Sequence, residues 1–357
     1  MLIGEMVVLS NGNLQITTSE HGRLTLIHWK IQPLSLTALQ DFKNDSKVNI
    51  RLTDLKVLED PEISEISVST PTPDILGAYC LVQGGWLPPG FGMLNSTAFA
   101  DRNFITKLVS NFLGDKAKNA ELAEWFYDLK NFNLKIDIVP YAMEGNKRKF
   151  PSKNEVEALI EEAKKKLRAA APGVPVVRYP VDLKDYAWSL VDHIKPPIQN
   201  RMNFLTEAAP LIKVSSNKET ILERWRAIAD IAKNHDLSTD IIHFLALISV
   251  SAPQKNSPGL GILKINHPYP AETAYNACFD ISLMEIFLNL QKMHPSGKYT
   301  IITSDLALAR FGGLLSELNH TRSDGAKSTF SARIPQELIG FDSDLHKEFQ
   351  HLTSGTQ

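Results

Sequence analysis

"KYTIITSDLALARF", Lys298 to Phe311, decides how the chain is read. Tyr299 to Thr303 are all β-branched or aromatic and favour an extended strand, while Leu306 to Arg310 favour a helix. Asp305 stands at the junction. A strand running straight into a helix is the building unit of a parallel α/β sheet, and such sheets hold ligands at the ends of their strands. The same arrangement recurs upstream in "NSTAFADRNFITKL", where Asp101 separates a strand from a helix.

Outward from these two stretches, strands and helices alternate over about 93–170 and again over 271–317, which predicts an α/β core. "SKNEVEALIEEAKKKLRAAAPG" is a helix with a Ser152–Glu155 capping box and a stop at Gly173. "AELAEWFYDLKNF" predicts another helix over 120–132. A helical block at about 182–252 reads as an insertion into the core. Residues 1–90 read as a β-rich region with a hairpin turn at Asn11 and Gly12. The break "GGWLPPGFG", Gly84 to Gly92, marks a boundary near residue 90, with the main domain over 91–357.

The 357 residues carry a formal net charge of −2, which argues against wholesale attraction to nucleic acid but allows a local basic patch. The two cysteines, Cys80 and Cys278, lie in apolar runs and are expected to be reduced and buried. No signal-peptide pattern is present, and no run approaches the roughly 18 apolar residues of a membrane helix. The expectation is a cytoplasmic protein without membrane contact.

Two further acids sit near strand-to-helix transitions: Glu144 in "IVPYAMEGN" and Asp280 in "NACFDISLMEIFLNLQ". The latter helix is apolar over most of its circumference, so a carboxylate within it is costly unless paired or metal-bound. Singly, each acid has an ordinary structural role open to it. Asp101 and Asp305 fit helix N-caps, Glu144 a solvated first-turn acid, and Asp280 an ion-pair partner. Jointly, four carboxylates on one sheet edge would require positive compensation, and hard cations with oxygen ligands, Mg²⁺ or Mn²⁺, supply it.

In order, "FADRNFITKL", "IVPYAMEGN", "YNACFDISLMEIFL" and "IITSDLALARF" resemble the four motifs of the PIN-domain (PIN-like) ribonuclease family. The resemblance implies a three-layer α/β/α sandwich around a parallel sheet and Mg²⁺- or Mn²⁺-dependent cleavage of RNA. It makes Asp101, Glu144, Asp280 and Asp305 metal-binding carboxylates and Thr303 a supporting hydroxyl. The separation of Asp101 from Glu144, 43 residues, suits the family, whereas the 136 from Glu144 to Asp280 require the helical insertion. Residues 1–90 lie outside the resemblance. Asn95 competes with Asp101 for the first position, and Glu207 with Glu144 for the second.

"GNKRKFPSK" follows Glu144 and offers Lys147, Arg148 and Lys149 to a phosphate backbone, with Phe150 for stacking; Arg102 and Arg310 adjoin Asp101 and Asp305. A solvated basic loop is the plainer reading of that run. The expected function is a metal-dependent ribonuclease, within a bacterial defence or RNA-surveillance system. A protein partner would dock on residues 1–90 or on the helical insertion. The alternatives are a non-catalytic PIN-like scaffold and a single-stranded DNA nuclease.

Overall fold

The computed structural model describes residues 2–3, 6–8, 13–18, 20–39, 47–71, 78–114, 116–118, 132–251, 257–266, 268–314, 318–322, 328–332, 336–339 and 342–353. The turn expected at Asn11 and Gly12 and most of the helix expected over 120–132 fall outside them. The chain divides into two compact units. The first comprises Met1–Ile138, Glu161–Arg178 and Ser296–Asp305; the second comprises Val139–Ile160, Tyr179–Pro295 and Leu306–Gln357.

The first unit contains two larger sheets. One has six strands: β1 (Leu2–Ile3), β2 (Met6–Val8), β3 (Leu14–Thr18), β4 (Gly22–Ile31), β5 (Lys47–Val57) and β6 (Glu65–Pro71). Their order is β1-β6-β5-β4-β3-β2, with β1 parallel to β6 and every other pair antiparallel. Strands β1 and β2 therefore lie on opposite edges, yet only two residues separate them in the chain. Three residue steps span at most about 11 Å, so the edges must meet and the sheet closes into a small barrel. Period-two alternation fills its interior: Leu14, Ile16, Leu24, Leu26, Val48, Ile50, Leu52, Ile66 and Val68 are all buried.

The other sheet is made from β7 (Tyr79–Val82), β8 (Gly85–Leu87), β9 (Thr97–Ala100), β12 (Lys135–Asp137) and β13 (Tyr299–Thr303), in the order β12-β9-β13-β7-β8. Short β10 (Phe112–Leu113) and β11 (Lys116–Ala117) pair separately. Strands β12, β9 and β13 are parallel, and a parallel bridge from Ile136 to Val176 continues the sheet beyond β12. The hairpin β7–β8 closes the far side by pairing antiparallel with β13. This departs from a boundary at residue 90: Tyr79 to Leu87 belong to the α/β sheet because their backbone ladder is made with Ile301, Ile302 and Thr303. The fold is thus mixed α/β, with a mixed sheet holding a parallel core.

Between β7 and the turn before β9 lies α1 (Pro89–Gly92), whose Gly92 backbone presses on Cys80 so closely that an added Cβ would overlap the Cys80 Cβ. Both cysteines are buried and unpaired with each other. Helix α2 (Arg102–Asn111) follows β9 directly.

The second unit is helical apart from the hairpin of β14 (Leu318–Arg322) and β15 (Ser328–Ala332), as far as its described residues go. It begins with the short α3 (Val139–Glu144). Helix α4 (Lys153–Ala170), whose residues from Glu161 on belong to the first unit, opens on the expected capping box: the Ser152 hydroxyl accepts from the Glu155 N–H at 3.3 Å, and the Glu155 carboxylate accepts from the Ser152 N–H at 2.8 Å. The expected insertion contains α5 (Leu183–Ala208), α6 (Lys218–Asn234) and α7 (Ile241–Ser251). Helix α7 is buried from Ile241 to Val250 and forms the core of the unit. Then come α8 (Pro258–Leu263), α9 (Ala271–Met293), α10 (Leu306–Leu314), α11 (Gln336–Ile339) and α12 (Ser343–Thr353). No described helix is long and apolar enough to cross a membrane.

Candidate active site

Strand direction organises the parallel core. From β9 the chain passes to β12, continues outward to Val176, and returns on the other side of β9 as β13. The connection from β9 leads away from β13, which leaves the carboxyl ends of these two parallel neighbours side by side; the crevice outside such strand ends is the preferred ligand position in α/β sheets. Asp101 follows β9 and Asp305 lies just beyond β13, so the two acids stand on either side of that crevice.

Asp101 is only 8% exposed and acts as the N-cap of α2, one carboxylate oxygen accepting from the Phe104 N–H at 2.6 Å. Burial pushes its pKa up to about 6; the Phe104 N–H and the Thr303 hydroxyl oppose that rise, the nearby Asp305 charge adds to it, and Lys107 counters it weakly. Thr303 is fully buried, and its hydroxyl oxygen accepts from the Asp305 N–H at 3.0 Å, while its proximity to Asp101 favours the ionised form of that carboxyl. The Thr303 hydroxyl thus stands next to both strand ends. Register explains this: Ile302 pairs with Ala100, so one step on sets Thr303 beside Asp101. Asn95, the competitor for the first position, precedes β9 in a left-handed conformation (φ 54°) and accepts from the Asn133 amide at 3.2 Å. It serves the opposite end of the strand.

A third acid, Asp137, ends β12 and is 2% exposed. In "LKIDIVP" it reads as an interior strand residue. Only the short three-residue span of β12 reveals that it too lies at the carboxyl edge, opposite Phe99 of β9.

Glu144 and Asp280 belong to the second unit. Glu144 does not begin a helix; it ends α3, because Gly145 adopts a left-handed conformation (φ 74°) immediately after it. The Glu144 carbonyl accepts from the Tyr275 hydroxyl at 3.3 Å. Asp280 lies in the third turn of α9, since that helix starts at Ala271. Glu207 contacts His235 at 3.0 Å. Of the expected phosphate-facing groups, Arg102 opens α2 in the first unit, and Arg310 lies in α10 of the second. Lys147 meets Glu155 at 3.5 Å, and Arg148 and Lys149 stay in the exposed turn after α3. Phe150 packs edge-on against Tyr275 at 5.1 Å rather than offering an open face.

Among the described residues, no three His, Cys, Asp or Glu side chains are grouped so as to hold a metal ion. What the first unit offers is smaller: a carboxylate pair with a hydroxyl between them. That donor set suits Mg²⁺, which binds through one or two carboxylates and keeps several waters. Comparison of the chain with protein-family models, with curated proteins and with solved structures gave no match.

Proposed function

We propose that the protein is a metal-dependent nuclease of PIN-like type acting on RNA, with its metal site at the ends of β9 and β13. One observation carries the reading: Asp101 and Asp305 stand at the adjacent carboxyl ends of the parallel neighbours β9 and β13, with the buried Thr303 hydroxyl accepting from the Asp305 N–H and favouring the Asp101 carboxylate. A structural N-cap needs neither a second acid across the crevice nor a buried hydroxyl beside it. Burial and the nearby Asp305 charge disfavour ionisation of Asp101, which a bound cation would reverse.

In this reading Asp101 and Asp305 would hold Mg²⁺ or Mn²⁺. Thr303 fixes the orientation of Asp101, and α2 presents Arg102 and Lys107 beside the site for a phosphate backbone. The ion, when bound, lowers the pKa of a water and stabilises charge on the scissile phosphate. The Asp101–Asp305 pair does not depend on Glu144 or Asp280, which belong to the second unit.

The test uses purified full-length protein. Mn²⁺ binding is followed by loss of the free-ion electron paramagnetic resonance signal, and cleavage is scored on mixed-sequence RNA and on single-stranded DNA. Saturable Mn²⁺ binding and RNA cleavage, both lost in Asp305→Asn, are expected. Cleavage that persists in Asp305→Asn overturns the site. Binding without cleavage of either polymer favours the scaffold reading, and cleavage confined to DNA reassigns the substrate.

A further inference from the structure

The second unit holds a cavity of about 340 Å³ between α5, α9 and the turn 236–240, a size that accommodates a small ligand. At its wall lies Arg201, which is 3% exposed. The guanidinium Nε donates to both oxygens of Asp240 at 3.1 Å. Nη1 donates to the Ser282 hydroxyl at 3.1 Å and to Glu285 at 2.7 Å. Nη2 donates to Asp240 and to Glu285, each at 2.6 Å. All five N–H groups are engaged, so Arg201 has no donor left for an anionic ligand.

The charge count then points the other way. One guanidinium faces two carboxylates, both largely buried at 13% and 14% exposure, which leaves the group one negative charge in excess. Asp236 lines the same cavity. Burial raises the pKa of Glu285 even though Arg201 pulls against it, as expected where negative charge is incompletely compensated.

Two further features supply acceptors without matching donors. The side-chain oxygen of Asn289, another lining residue, is buried with no hydrogen-bond partner. Pro196 and Pro197 sit inside α5 and line the cavity; lacking an N–H group, Pro197 leaves the carbonyl of His193, also a lining residue, without its helical donor. A cavity rich in acceptors, with its one buried cation saturated, selects a ligand that brings both positive charge and N–H donors. A bare metal ion is the weaker candidate, because no three carboxylate, imidazole or thiol groups among the described residues are grouped to hold one.

The geometry points to this cavity as a binding site for a small organic cation carrying a primary ammonium group, seated against Glu285, Asp240 and the Asn289 amide oxygen. The site is separate from the Asp101–Asp305 pair and does not rest on the nuclease reading.

Isothermal titration calorimetry of the full chain with 1,4-diaminobutane tests it, with sodium phosphate and magnesium chloride as the contrasting arms. One-site, saturable binding of the diamine is expected, at least tenfold weaker in Asn289→Ala and Asn289→Leu, which leave the Arg201 ion group intact. Asn289→Lys places a tethered ammonium in the cavity and is expected to abolish binding. Circular dichroism melts establish that each variant is folded, and the alanine variant carries the comparison if the leucine one is not. The proposal is overturned by absence of saturable diamine binding, by undiminished affinity in folded Asn289→Ala, or by phosphate or Mg²⁺ binding that these variants weaken instead.

Discussion

Asp101→Asn makes the sharpest prediction, because a change that disables the proposed site should also stabilise the fold. Asparagine is nearly isosteric and caps helices as well as aspartate, so the bond to the Phe104 N–H survives. What disappears is a buried charge. The ordinary carboxyl value of 3.8 is pushed up to about 6 in the folded protein. At about 1.36 kcal/mol per pKa unit, holding Asp101 ionised costs about 3 kcal/mol at neutral pH. The sign follows from proton binding: between the two values the folded state binds more protons than the unfolded one, so stability falls as pH rises from about 4 to about 6 and is level above that. The amide N–H₂ of the variant returns about 1 kcal/mol if it lacks a partner. In urea titrations with a chelator present, Asp101→Asn should therefore exceed the wild type by about 2 kcal/mol at pH 8, and the gain should vanish near pH 4. Added Mn²⁺ should restore stability to the wild type but not to the variant. A stability difference that is the same at both pH values, or a variant weaker than wild type at pH 8, would refute the reasoning.

Three other substitutions follow from the same packing. Thr303→Val keeps the shape but removes the hydroxyl between the acids; it should raise the Asp101 pKa above 6, read by the pH dependence of stability, and cost about 1–2 kcal/mol. Arg201→Met strands two largely buried carboxylates and should destabilise the second unit by about 3–5 kcal/mol at pH 7, with part of the loss recovered at pH 5 as Glu285 takes up a proton. Gly92→Ala drives a methyl into Cys80 and should cost about 1–3 kcal/mol by denaturant titration, whereas the same change combined with Cys80→Gly should recover most of it.

Local signals were legible in the sequence, and distant pairings were not. Strand, acid and helix succeed one another within a dozen residues at both Asp101 and Asp305, and the Ser152–Glu155 box spans four, so propensity and spacing suffice to read them. The parallel neighbours β9 and β13 were expected at one edge because that edge is common to all parallel strands. The hairpin β7–β8 was assigned to the wrong side of a break because its partner, β13, lies more than two hundred positions away. Asp137 was passed over because nothing local shows where a three-residue strand ends. Likewise Arg201 meets Asp240 and Glu285 across 39 and 84 positions, a convergence that three separate helical patterns do not disclose. Glu144 was set at the wrong end of its helix because α3 is only six residues long and stops at Gly145.

The closed six-stranded sheet has a practical consequence for anyone engineering this chain. Strands β1 and β2 act as the final stave on both sides of the barrel. Trimming that segment would not shorten one border; it would unseal two at once, baring the polar backbone of β3 and β6 together. Unpaired borders of that kind recruit strands from other molecules, so a fusion or truncation reaching Val8 invites self-association, while one confined to the other terminus leaves the seam shut.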